Sequence, residues 1–150
     1  MALKIDHTHE IAAPAELVWQ VITDMPRYGE WNPFVTGCSS SLVVGEPIDM
    51  KVYVLPFFAQ PQREFITRHE PGRSFCYGLE KTRVGALYSN RCHLVTPTGP
   101  DTCRYESNFE IAGWLSPLVA LLTGPMLRRG FTQMSAAIRD RAESLARAAA

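Results

Sequence analysis

Two histidines near the start, His7 and His9, stand two residues apart in a run that alternates Leu3, Ile5, His7, His9, Ile11 against Lys4, Asp6, Thr8, Glu10. Period-two alternation puts both imidazoles on one strand face, the face of the isoleucines. An imidazole titrates near pH 6.5 and can give or take a proton, or hydrogen-bond a bound molecule. The plainer role is a pair of satisfied histidines at a strand. Two histidines at this spacing would also begin a metal site. No Asp, Glu or Cys is clearly placed to complete it, so no metal is expected. Cys38, Cys76, Cys92 and Cys103 contain no Cys-x-x-Cys pair and are expected to be buried thiols. The sequence holds no nucleophile–base–orienter set and no glycine-rich phosphate loop, and no cofactor is expected.

Further polar candidates alternate on two later segments. Tyr88, Asn90, Cys92 and Leu94 form one set, and Tyr105, Ser107, Phe109 and Ile111 the next. If these sets face inward, Tyr88, Asn90, Tyr105 and Ser107 are polar points in an apolar interior, joined by Phe75 and Tyr77 from a middle strand. A core of internally bonded hydroxyls is the alternative. A hairpin turn centred near Pro97-Thr98 would set Cys92 opposite Cys103. Glu64 faces inward on one parity of its strand, where an unpartnered carboxylate would have a raised pKa. Salt pairing or exposure is its expected state. Phe57 and Phe58 lie between Pro56 and Pro61 at a hairpin tip, with no strand face to hide on. They are expected to gate a cavity mouth or touch a membrane or partner, against packing on nearby helices.

The elements that must position these groups follow from periodicity. Residues 3–12 read as a strand. Pro14 opens a helix, Glu16 favours its dipole, and Val18, Ile22 and Met25 form its apolar stripe. Pro26 begins a second short helix that Asn32-Pro33 ends. Segments 35–43, 48–55, 63–69, 73–79, 86–95 and 102–111 read as strands joined by short turn-rich connectors, hence antiparallel hairpins. Leu127, Phe131, Met134, Ile138 and Leu145 mark one face of a long final helix. Gly124-Pro125 is expected to start it, with a kink in a helix begun near Pro117 as the alternative.

The fold class is therefore α+β: a seven-stranded antiparallel sheet, two short helices after strand 1 and one long C-terminal helix, read as a single domain over 1–150. One helix roughly 10 Å wide cannot cover seven strands about 4.8 Å apart unless the sheet curls. Curling leaves a hollow, and apolar hollows take small molecules. Leu127 and Phe131 would line it from the helix.

The chain has 150 residues, 46% hydrophobic and 20% charged, with 15 Lys+Arg against 15 Asp+Glu. That composition excludes wholesale disorder, and zero net charge argues against nucleic acid as a partner. Arg128, Arg129, Arg139, Arg141 and Arg147 read as a solvated helix face. The N-terminal residues lack the apolar run of a signal peptide, and the greasy stretch 114–127 is short and broken by Pro117, Gly124 and Pro125. A cytoplasmic protein without stable membrane insertion is expected.

Several segments resemble the START-like (SRPBCC) superfamily, and most closely its polyketide cyclase/dehydrase-type branch. They are residues 11–19 (Ile-Ala-Ala-Pro-Ala-Glu-Leu-Val-Trp), Thr23-Asp24, the Tyr28-to-Val35 segment around Trp31-Asn32-Pro33-Phe34, the Phe109-to-Leu115 segment around Gly113, and Gly130-Phe131-Thr132-Gln133-Met134. The resemblance spans the chain and implies a helix-grip fold with an internal ligand cavity. It also implies that Trp19 and Trp31 anchor the small helices. Many members carry an acidic residue four before the last-strand glycine; here Phe109 stands there, which makes the hollow more apolar and removes one acid or base.

The function expected is binding, for sequestration or transport, of a small hydrophobic ligand such as a lipid, polyketide or aromatic molecule. The alternative is a cyclase/dehydratase-type enzyme using His7, His9, Tyr88 or Tyr105 as acid–base groups. A protein-interaction module is the third reading.

Overall fold

The computed structural model describes residues 3–150. Alternation makes β1 (Leu3–Ile11), and Pro14 then turns the chain into α1 (Ala15–Thr23), which buries Val18, Val21 and Ile22. A 3-10 turn (Met25–Arg27) and α2 (Tyr28–Trp31) follow. Six strands come next: β2 (Val35–Ser40), β3 (Pro47–Val52), β4 (Gln60–Glu70), β5 (Ser74–Gly78), β6 (Tyr88–Gly99) and β7 (Thr102–Ala112). The chain closes with α3 (Ser116–Ala149).

The sheet order is β1-β7-β6-β5-β4-β3-β2, all antiparallel. The fold is the helix-grip fold, a curled half-barrel around α3. The curl is visible in what the strands share. Val35 on β2 and Ile111 on β7 line one cavity. In a flat sheet those strands would stand about 24 Å apart, five steps of ~4.8 Å.

Two expectations are corrected. The long helix starts at Ser116, so Pro125 lies inside it. Pro117 occupies the first turn, where a missing N–H costs nothing. Pro125 leaves the Leu121 carbonyl without its helical donor, and that turn faces outward, where water can reach it. The cysteines are not all thiols. Cys76 and Cys92 oppose each other across β5 and β6, with Cα atoms 4.2 Å apart, and are joined as a disulfide. Cys103 stays a buried thiol and Cys38 a half-buried one. Cys92 faces Asn108, not Cys103, because the hairpin turns between Gly99 and Thr102 rather than at Pro97-Thr98.

α3 lies along β1, against α1 and the neighbouring β7. Under its C-terminal half the interior is solid. Phe75, Tyr105, His93, Met134 and Ile138 are essentially inaccessible there. Its N-terminal half meets the sheet less closely, and the cavity lies there.

The helix approaches at Gly130. A Cβ at that position would lie 2.3 Å from the Phe34 ring, which is itself buried and packed edge-on against Phe131 at 4.9 Å. The ring would have to give up that contact to make room. Gly130→Ala should lower unfolding free energy by about 1–3 kcal/mol in urea titration, despite alanine's better helix propensity. Adding Phe34→Leu should make the Gly130 change nearly neutral. A stabilised Gly130→Ala single variant would show that the helix does not seat where described.

Candidate functional site

The Trp31-Asn32-Pro33-Phe34 segment builds one wall. Asn32 Oδ1 accepts hydrogen bonds from the backbone N–H groups of Phe34 (3.0 Å) and Val35 (2.9 Å). This tight side-chain turn swings Phe34 inward, where it joins Phe131 and Phe109, whose rings lie 4.5 Å apart. Val35, Met50, Val52 and Val54 supply the next wall, with Leu79 and Leu87 beyond them. α3 closes the space with Val119, Thr123, Leu127 and Phe131. The hollow has a volume of about 240 Å³.

Five polar side chains break this apolar lining: Gln62, Glu64, Tyr77, Ser89 and Arg91, apart from Thr123 on the helix. Arg91 is 1% exposed. One Nη donates to the Ser107 hydroxyl and the other lies 3.7 Å from the Met134 sulfur. The guanidinium stacks over the Phe131 ring, 4.5 Å from its centroid. Its Nε has no partner among the described residues. Nor does any carboxylate there form an ion pair with it. Glu64, 6% exposed, faces the same cavity and takes a hydrogen bond from Gln62 at 3.0 Å. Burial raises its pKa, while the Gln62 bond and the Arg91 charge pull it down. The site thus pairs a permanent cation with a carboxyl whose proton is held more tightly than usual, in low-dielectric surroundings.

The sequence-expected residues divide sharply. Tyr77, Phe109, Leu127 and Phe131 line the cavity. His7 and His9 do not. Their Nε2 atoms bond Thr132 Oγ1 (3.0 Å) and Ser135 Oγ (3.2 Å) of α3, so they pin the helix to β1. Burial lowers both pKa values, which favours the neutral imidazole in these clamps. Phe75 and Tyr105 belong to the solid half. Phe75 stacks on His93 at 4.6 Å, and His93 Nδ1 meets the Tyr105 hydroxyl at 2.8 Å. Burial, then the Arg91 charge, pushes the His93 pKa far down. Ser107 holds Arg91 from behind.

Tyr88 and Asn90 are placed on the wrong face by the sequence reading. β6 turns Ser89, Arg91, His93 and Val95 inward and leaves Asn90 exposed. Tyr88 is half-exposed, beneath the Lys81 ammonium. Both alternating sets on β6 mix polar and apolar groups, so periodicity alone does not choose between them. The register does. Directly opposed residues share a face, and Phe109 and Ser107 stand opposite Arg91 and His93. The alternation pattern therefore hides Arg91. Glu64 faces inward, not outward, opposite Ile48. Among the described residues no group of three His, Cys, Asp or Glu could hold a metal ion.

The half-exposed lining residues Val54, Leu79, Leu87, Val119 and Thr123 mark the mouth. Gly113 shapes its rim. With φ at +110° and a Cβ that would lie 2.5 Å from the Ala86 carbonyl oxygen, only glycine lets β7 turn into α3 here. Trp114 then donates from Nε1 to the Val84 carbonyl at 3.1 Å. Phe57 and Phe58 sit exposed on the β3–β4 loop.

Solved structures share this architecture. A START superfamily protein from Mycobacterium smegmatis aligns at 20% identity and TM-score 0.70, over 95% of this chain and 98% of that one. The Zhui aromatase/cyclase of a Streptomyces species aligns at 16% identity and TM-score 0.74, over 95% and 94%. Norcoclaurine synthase from Thalictrum flavum, in complex with dopamine and hydroxybenzaldehyde, aligns at 20% identity and TM-score 0.65, over 93% and 86%. No curated protein sequence matches the chain. The family model described as "Polyketide cyclase / dehydrase and lipid transport" matches residues 2–150, so the chain belongs to that family.

Proposed function

We propose that the chain holds or carries a small hydrophobic molecule of one or two rings in this cavity, with an oxygen of the ligand directed at Arg91. The observation that carries the reading is the unpaired, buried guanidinium in an apolar hollow. A buried cation without an ion-pair partner in contact is costly. A carbonyl, phenolate or carboxylate oxygen would offset that cost and fix the ligand's direction. Size supports the same class. A cavity near 150 Å³ admits benzene, and this one measures about 240 Å³. The half-open mouth leaves a path for a longer lipid or polyketide tail. One fold neighbour is described with two one-ring aromatic compounds.

Naphthalene, a naphthol and a naphthoate test the idea as a series. Wild type should bind the naphthoate most tightly. Arg91→Met should weaken that binding about 10–100-fold, the worth of a charge-assisted hydrogen bond, and leave naphthalene nearly unchanged. Equal losses for all three probes, or none, would remove the assigned role of Arg91.

A second reading is favoured by Glu64, whose carboxyl faces the same cavity as Arg91 and whose pKa burial raises from its ordinary value. With a ketone oxygen on Arg91, the Glu64 carboxylate would take a proton from the adjacent carbon, and the enolate charge would rest on the guanidinium. That is the elementary step of a cyclase or dehydratase. Acetophenone in D2O reports it by NMR. Wild type should speed exchange of its methyl protons about 100-fold. Glu64→Gln should abolish the acceleration yet keep acetophenone affinity. Background exchange with the wild type would leave binding as the sole function.

A further inference from the structure

The first turns of α3 are apolar on both faces. Val119, Thr123 and Leu127 look into the cavity. On the other side Leu118, Leu121 and Leu122 follow helical spacing and lie open to solvent, Leu121 at 76%. A helix apolar all round has something on each side of it. The exposed stripe continues beyond the helix. Trp114, 64% exposed, is bonded to the loop that carries Val84, 71% exposed. Across the mouth, the β3–β4 loop carries Phe57, 88% exposed, and its Tyr53 and Pro56 share a surface pocket with Met126 of α3. Three separate elements thus present large apolar side chains around one opening. Scattered exposed leucines are ordinary, but a contiguous rim of this kind marks an interaction surface.

Charge selects the partner. Residues 53–60 and 113–127 contain no charged side chain. Within three residues of them stand Lys51, Arg63, Arg128 and Arg129, all exposed, against the half-exposed Glu110, and the β5–β6 loop adds Lys81 and Arg83 against Glu80. The whole chain has a formal charge of 0, so this end is the basic end. Apolar tips with a basic collar match a bilayer bearing anionic lipids. No described helix is long and apolar enough to cross a membrane. The contact is therefore with the surface.

We propose that the rim formed by the β3–β4 loop, the β5–β6 loop and the first turns of α3 is a docking surface for an anionic membrane, with the cavity mouth facing the lipid. The proposal rests on the ligand-binding reading only for why the rim surrounds the mouth. Docking sets the mouth where an apolar molecule can pass between bilayer and cavity without crossing water.

Cosedimentation of the full chain with vesicles tests this without any cavity ligand, so failure of naphthoate binding leaves the outcome intact. Vesicles of phosphatidylcholine containing one-third phosphatidylglycerol should bind the protein at least tenfold better than phosphatidylcholine alone, and high salt should abolish the difference. The pair Phe57→Asp and Leu121→Asp should lose at least tenfold in vesicle binding while circular dichroism and naphthoate affinity stay unchanged. Arg128→Gln with Arg129→Gln should remove the preference for anionic vesicles. Wild type that stays in the supernatant, or Asp variants that bind as well as wild type, would overturn the proposal. So would a dimer in light scattering that the Asp variants dissolve, with no vesicle binding, since the rim would then cover a second copy.

Discussion

One helix has to shield the concave face of seven strands, and it is too narrow to do so. The sheet responds by curling, and the helix responds by lying along β1 rather than down the middle. The interior is divided as a result. One half is filled by Phe75, His93, Tyr105, Met134 and Ile138, with α1 behind it. The other half keeps about 240 Å³ free beneath the first turns of α3. His7 and His9 hold the division in place, since their bonds to Thr132 and Ser135 fix the helix over β1. Gly130 sets how closely the helix can descend at the boundary.

Arg91 stands on that boundary, and the chemistry of the cavity depends on it. The solid half holds the guanidinium through Ser107 and Met134, while Phe131 offers its ring face. The hollow half receives the charge. In such surroundings a fixed cation acts strongly on any oxygen that enters, because little solvent screens it. It also acts on the protein. It lowers the pKa of His93 together with burial, and partly offsets the rise that burial imposes on Glu64. Phe109 puts a phenyl ring, not an acid, on the β7 wall of the cavity. Glu64, arriving from β4, supplies a carboxyl from the opposite wall instead.

The architecture was readable because its signals are local. Alternation marked β1, short connectors marked the hairpins, and the Leu127–Phe131–Met134–Ile138 face marked α3. The wrongly placed start of α3 has a local cause as well. A proline at position 125 stops a buried helix, but here the carbonyl it strands faces water. The polar content of the site was not readable, because it depends on register. β6 alternates Tyr88, Asn90, Cys92 with Ser89, Arg91, His93, and neither set is plainly apolar. Moving the β6–β7 turn toward Gly99 decides which set faces inward, and also separates Cys92 from Cys103. His7 and His9 show the limit of parity itself. It points a side chain toward the interior, but only the position of α3 decides whether helix or cavity is waiting there.

Xenon pressure applied to crystals of the unliganded protein tests the divided interior most directly, because the gas occupies apolar voids large enough to take it and ignores polar chemistry. The account predicts a xenon site bordered by Phe34, Phe109 and Leu127, and none among Phe75, His93 and Tyr105. Crystals without xenon in the first region, or with xenon in the second, would contradict it.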